Sequence, residues 1–301
     1  MSAVSESGDL VEHHLLTPDG RTLQVRENGA LDGVPVLVHH GSPGSRLLYP
    51  PDVARAERQG IRLISYDRPG YGGSTPQPGR TVSDCAEDVR AIAAWLGFER
   101  LAVWGISGGG PHAVACAALL PDLVPAVAVL AGSAPLDAPG LDYFDGMGQL
   151  NVEDTMLMLE DPVAARAKCE SDRLEMLATT PDGLFEHLTT LLSPVDSAVF
   201  NGDLAGFLVE SMRLGLTPGA DGWWDDEVAF LGPWGFELDG IRTPVLLCHG
   251  RQDRFVPFAH GAWLSRQIPG IEAKLTDDDG HLTLTRRHLD DVHAWLLERM
   301  R

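Results

Sequence analysis

The sequence predicts an α/β fold, a mostly parallel twisted sheet with helices on both faces and an inserted helical cap. Three observations carry this expectation. Short β-branched runs alternate with segments of helical period over the first 130 residues, and that alternation builds parallel sheets. The pattern lapses near residue 133 and resumes near residue 236. A length of 301 residues suits one large domain carrying an insertion, at roughly 100–200 residues per domain. The expected division is a core of residues 1–132 and 236–301 with a cap at 133–235.

Each element has a local reason. Leu10 to Leu16 and Thr22 to Glu27 flank Pro18-Asp19-Gly20, a turn signal, and read as a hairpin. Val34 to His39 and Ile61 to Tyr66 are apolar on both faces, as buried strands are. From Thr81 to Gly97, Val82, Cys85, Ala86, Val89, Ile92, Ala93 and Leu96 recur at helical spacing, with Gly97 as the stop. Leu101 to Trp104 predicts a strand, the following Ala-rich stretch a helix to Leu120, and Val124 to Ala131 a strand. The cap is expected to hold helices near Val152 to Leu159 and Val163 to Leu177, broken by Pro162, Pro181, Pro194 and Pro218. Beyond it, Thr243 to Cys248 and Ile271 to Thr276 read as strands, Pro257 to Gln267 and Leu284 to Arg299 as helices.

The chain carries 43 acidic and 23 basic residues, a net charge of −20. Phosphate backbones and anionic lipid repel such a molecule, so no nucleic-acid or membrane partner is expected. The expected partner is a small-molecule substrate, and a homo-oligomer is compatible with the composition. The imbalance is local, because residues 133–240 hold 21 acidic residues and only four basic ones, Arg166, Lys168, Arg173 and Arg213. The plain reading is a solvated acidic surface; the sharper one is a charge filter disfavouring anionic substrates. Cys85, Cys116, Cys169 and Cys248 are far apart with no C-x-x-C pair, and are expected as reduced packing residues. No nucleotide loop, flavin fingerprint or metal cluster stands out, so no cofactor is expected. The opening MSAVSESGDLVEHH has no basic region leading into an apolar one, and no apolar run approaches bilayer length; a cytoplasmic location is expected.

The chemistry is expected on four loops. Gly105-Ile106-Ser107-Gly108-Gly109 fits G-x-S-x-G between a strand and a helix. That motif sets a serine on a sharp turn and aims the N-terminal N–H groups of the next helix at the same spot. A serine hydroxyl is a weak nucleophile unless a base, itself held by a third group, takes its proton. Asp253 and His281 each follow a predicted strand, and come after Ser107 in the order acid then histidine. Asp137 is the main alternative acid; His249, His260, His288 and His293 are weaker alternatives for the base. Lastly, His39-His40-Gly41-Ser42-Pro43-Gly44 follows a strand. Acyl transfer needs backbone N–H donors for its oxyanion, each worth about 3–4 kcal/mol. Gly108 would supply one and Ser42 the other, because Pro43 has no N–H.

Together these segments resemble the α/β-hydrolase superfamily, in particular capped hydrolases with an HGxPG loop, a D-R-x-G-x-G-x-S loop, a G-x-S-x-G elbow, an H-G-x-x-D loop and a terminal G-H. Here they read His40 to Gly44, Asp67 to Ser74, Gly105 to Gly109, His249 to Asp253, and Gly280-His281. The resemblance covers about residues 10–132 and 240–299, and the elbow's Ile-Ser-Gly departs from the flanks common in well-known branches. Asp67 to Ser74 is expected to be a structural turn. The resemblance implies a serine hydrolase acting on a carboxylic ester or lactone of a small, mainly apolar substrate. It leaves open a proline-iminopeptidase-like aminopeptidase, a cofactor-free perhydrolase, a carbon–carbon hydrolase, and a receptor with a silent triad. A serine nucleophile disfavours dehalogenase and epoxide hydrolase branches, which use Asp there.

Overall fold

The computed structural model describes residues 10–301. Its elements run β1 (Val11–Leu16), β2 (Thr22–Gly29), β3 (Val34–His39), α1 (Pro50–Arg58), β4 (Ile61–Tyr66), α2 (Cys85–Leu96), β5 (Ala102–Ile106), α3 (Gly109–Leu119) and β6 (Val127–Leu130). An insertion follows: α4 (Gln149–Glu160), α5 (Pro162–Ala178), α6 (Pro181–His187), α7 (Pro194–Val199), α8 (Gly202–Leu216) and α9 (Asp221–Leu231). The chain closes with β7 (Val245–Gly250), α10 (Phe258–Gln267), β8 (Glu272–Thr276) and α11 (Thr283–Met300). None of these helices is long and apolar enough to cross a membrane.

The eight strands form one sheet in the order β1-β2-β4-β3-β5-β6-β7-β8. The β1–β2 and β2–β4 pairs are antiparallel and all others parallel, so the expected fold class holds. Parallel neighbours need crossovers, which α1, α2, α3, the insertion and α10 provide. Strand side chains alternate between two buried layers. Leu37, Ile64 and Val103 pack with α2, α3 and α10 on one face, whereas Val36, Val38, Leu63 and Trp104 pack with Ala56 of α1 and Leu284, Leu289, Val292 and Leu296 of α11 on the other. Each large side chain so buried contributes about 1.5–3 kcal/mol. Ala229, Phe230 and Trp234 belong to the first layer, which roots the end of the insertion in the sheet.

One helix was not foreseen, and one local expectation needs correction. The helix α1 has no apolar stripe to announce it, since Ala56 is its only buried residue. Pro162, Pro181 and Pro194 start helices instead of breaking them: each occupies the first turn of α5, α6 or α7 behind Asp161, Thr180 or Ser193, whose side chains accept a first-turn N–H. A first-turn proline lacks only an N–H that would have had no intrahelical partner.

The parallel register positions the site. His39 pairs with Gly105, and Leu130 with both Ile106 and Cys248. The ends of β3, β5, β6 and β7 are therefore level, and the loops that follow them crowd at one sheet edge, where open α/β sheets bind ligands.

Candidate active site

Ser107 stands between β5 and α3 with φ +55°, left-handed backbone that a non-glycine residue adopts at a cost. Its neighbours allow the turn. A β-carbon on Gly105 would fall 2.1 Å from the Gly109 carbonyl oxygen, and one on Gly109 would fall 2.2 Å from that of His39. Ser107 N–H donates to Leu130 O at 2.9 Å, which ties the elbow to β6. The hydroxyl faces a chamber beneath the insertion.

Asp253, on the loop after β7, and His281, just ahead of α11, meet: His281 Nδ1 lies 2.8 Å from Asp253 Oδ2. The other Asp253 oxygen accepts the Phe255 and Val256 N–H groups at 2.8 and 2.9 Å, so the carboxylate is fixed from its own loop. Burial pulls the His281 imidazole down, but the charge and hydrogen bond of Asp253 outweigh it, and the net direction is up. Phe255 stacks on the ring with centroids 4.5 Å apart. No hydrogen bond joins Ser107 Oγ to His281 among the described residues. Of the competing groups, Asp137 is exposed, His288 meets Asp279 and His293 meets Gln59; His249 lies 3.7 Å from the Asp253 carboxylate with its Nε2 against Val256 O, and His260, on the chamber wall, accepts the Ala134 N–H at Nδ1.

The loop after β3 brings Ser42 against the elbow. A β-carbon on Gly108 would lie 2.8 Å from Ser42 Cβ, and one on Gly41 would lie 3.5 Å from Ser107 Cβ. Arg68 holds this loop, donating to His40 O at 2.5 Å and Gly41 O at 3.2 Å. Its guanidinium also pairs with Asp226 of α9 at 2.5 Å, and Arg80 reaches the other Asp226 oxygen at 2.7 Å. Tyr71 O–H and Ser42 O–H donate to the same carboxylate at 2.9 and 3.1 Å. Burial favours the neutral acid, yet Arg68 and Arg80 hold the Asp226 carboxyl well below the usual range. Sequence reasoning missed Asp226. The available signal was its helical spacing with Gly222, Ala229 and Phe230, all buried on one face of α9. The turn Asp67 to Ser74 is structural as expected, with Asp67 accepting the Arg46 and Gly73 N–H groups. It does more than expected through Arg68 and Tyr71.

The chamber has a volume of about 220 Å³, with Ser42, Ser107 and Gly108 on its floor and mainly apolar walls that include Met158, Trp224 and Phe230. Met158 faces the chamber, while Met156 is exposed. Polar exceptions on the wall include Glu227, Asp154 and Lys168. Burial, then the neighbouring Asp226 charge, push the Glu227 carboxyl up to about 8. A carboxyl raised in the fold loses stability as pH climbs from its unfolded value to its folded one, because the native state binds the extra proton. Glu227→Gln is therefore expected to melt progressively higher than wild type from pH 5 upward, the gap levelling above about 8, as read by thermal denaturation across pH. For metals, His39, Cys85 and Cys116 bring donor atoms within 4.8 Å of one another, all buried. Burial pushes the Cys85 thiol up and the His39 imidazole down, so these are neutral packing groups behind the elbow.

A family model described as the alpha/beta hydrolase fold matches residues 34–285. The chain belongs to the α/β-hydrolase fold family. This α/β hydrolase is 27% identical to the AB hydrolase superfamily protein YisY of Bacillus subtilis over 273 residues, 89% of this chain and 92% of that protein. It is 26% identical to the bifunctional esterase/perhydrolase DCH of Acinetobacter calcoaceticus over 256 residues, 81% of this chain and 83% of that one. Among solved structures it resembles an alpha/beta hydrolase fold protein from Nakamurella multipartita, at 27% identity and a TM-score of 0.62, covering 96% of this chain and 99% of the other. The protein is thus an enzyme of the hydrolase class.

Proposed function

We propose that this enzyme is a serine esterase that cleaves a carboxylic ester or lactone of a small, mainly apolar substrate, with Ser107 as nucleophile, His281 as general base and Asp253 as its orienting acid. The observation that carries this reading is the convergence at one sheet edge of a left-handed serine elbow, the adjoining Ser42 and Gly108 amides, and an Asp253-held imidazole. The insertion is read as a cap that roofs an apolar acyl chamber.

In this mechanism His281 Nε2 takes the Ser107 proton as Oγ attacks the carbonyl carbon. The oxyanion accepts hydrogen bonds from the Ser42 and Gly108 N–H groups. Collapse breaks the ester C–O bond, and His281 passes its proton to the departing alkoxide. Water, deprotonated by His281, then attacks the acyl-enzyme and releases the acid. Asp253 stays ionised and holds the imidazole in the required tautomer. The Ser107–His281 hydrogen bond this chemistry needs is of a kind that tightens as substrate enters. The relative from Acinetobacter, named an esterase and perhydrolase, supports the ester class.

One observation favours a second reading. Glu227 and Asp154 on the chamber wall would, once ionised, attract a protonated amine, as an aminopeptidase requires. A panel of short p-nitrophenyl esters, lactones and prolyl amides separates the two. Turnover of esters or lactones in preference to amides is expected; turnover confined to prolyl amides would sink the esterase reading.

A further inference from the structure

Asp196 lies on α7, is fully buried, and has no part in the mechanism above. Its local sequence announces something ordinary. Ser193-Pro194-Val195-Asp196 is a helix start in which an acid at the third helical position reaches back to its own cap. Ser193 plays that part, its Oγ accepting the Asp196 N–H at 3.3 Å. The Asp196 carboxylate, besides meeting its cap, reaches beyond α7 into the loop that carries His281. Oδ2 accepts the His281 N–H at 3.0 Å, and Oδ1 accepts those of Leu282 at 2.7 Å and Thr283 at 3.3 Å. Ser193 O–H braces Oδ2 at 2.7 Å. Leu282 and Thr283 open α11, whose first N–H groups have no intrahelical acceptors, so the insertion caps a core helix in the place of a local residue. A β-carbon on Gly280 would fall 2.1 Å from Oδ2. Glycine ahead of the histidine is what admits the carboxylate.

We propose that Asp196 is a positioning residue of the catalytic machinery: it fixes the backbone that presents His281 and stands as a second carboxylate, with Asp253, behind the imidazolium formed during turnover. This rests on the reading of His281 as general base. The groups around the ring are few. Asp253 faces it from the β7 loop, and His249, kept neutral by burial, sits 3.7 Å from that same carboxylate. Phe255 covers one ring face. Asp279, on the His281 loop, is paired with Arg287 and His288. Asp196 is the carboxylate that comes from the insertion, and its charge acts on His281 in the same upward direction as that of Asp253. The insertion then holds the base in register, and displacing α7 would disarm it.

Asp196→Asn keeps the shape but removes the charge, and it can set an NH₂ against the His281 N–H. In the full-length protein with isotope-labelled histidine, the His281 ring is expected to titrate at lower pH than in wild type. The acid limb of kcat/KM for an ester should move the same way, with kcat down roughly ten- to hundredfold and KM changed far less. Ser193→Ala, a milder change, leaves the charge but removes the brace; kcat should fall several-fold, with the His281 titration close to wild type. A His281 titration and kcat in Asp196→Asn that match wild type would overturn the proposal, as would a Ser193→Ala variant whose kcat matches wild type. The titration needs no substrate. Absence of ester turnover in the wild type would therefore strike the esterase reading while the effect of Asp196 on His281 could still be measured.

Discussion

Ser107→Ala is expected to lower kcat/KM toward esters by about 10⁴- to 10⁶-fold, with the fold intact. Alanine keeps the β-carbon that the elbow already accommodates, and Ser107 Oγ has no hydrogen-bond partner whose loss would be felt among the described residues. What disappears is the atom proposed to form the acyl-enzyme. The residual rate is expected to come from the Ser42 and Gly108 amides and from substrate binding in the chamber. Ester kinetics on the purified variant, with circular dichroism to confirm folding, make the check. Activity retained within tenfold of wild type would mean that hydrolysis proceeds without Ser107.

Asp226→Ala is expected to cost about 3–5 kcal/mol of folding stability, the scale for removing one partner of a buried ion pair. Arg68, Arg80 and Asp226 are almost wholly excluded from solvent. Removing the carboxylate leaves two buried guanidinium groups without the partner they share, and cuts the Tyr71 and Ser42 hydrogen bonds as well. Because Arg68 also grips the His40 and Gly41 carbonyls, ester turnover should fall beyond what the unfolded fraction explains. Urea denaturation followed by fluorescence gives the stability; kcat measured well below the transition isolates the effect on the oxyanion loop. A loss under 1 kcal/mol would show that the cluster is not the support described.

The sheet and the loops of the candidate site were legible because they depend on local constraints. Gly105, Gly109 and Ser107 sit where only small residues or a strained turn fit, so the elbow is written into five consecutive residues. The central strands show as short, largely buried apolar runs, and the Asp253 and His281 loops follow directly from strand ends. What escaped was long-range. Asp196 is 85 residues from the His281 N–H it accepts, and Asp226 is 158 residues from Arg68, distances over which no periodicity speaks. The acidity of residues 133–240 read as a solvated surface or a filter, yet Asp196, Asp225 and Asp226 are buried and Glu227 faces the chamber. Part of that charge works inside the molecule, where it holds the Ser42 loop and the His281 loop in place. Neutralising the exposed carboxylates of the insertion should accordingly change turnover of a small neutral ester little, whereas Asp196 and Asp226 should affect it strongly. The helix α1 escaped for a different reason, because a helix that buries only Ala56 leaves no hydrophobic stripe to read.

The central claim is that Ser107 is a competent nucleophile, and a fluorophosphonate probe tests it most directly. Incubation of the wild-type protein, followed by intact and peptide mass spectrometry, should give one stoichiometric adduct on Ser107. Labelling should be abolished in Ser107→Ala and strongly slowed in His281→Ala. A protein that remains unlabelled while folded, or one that carries the adduct on another residue, would contradict the assignment of Ser107 as the nucleophile.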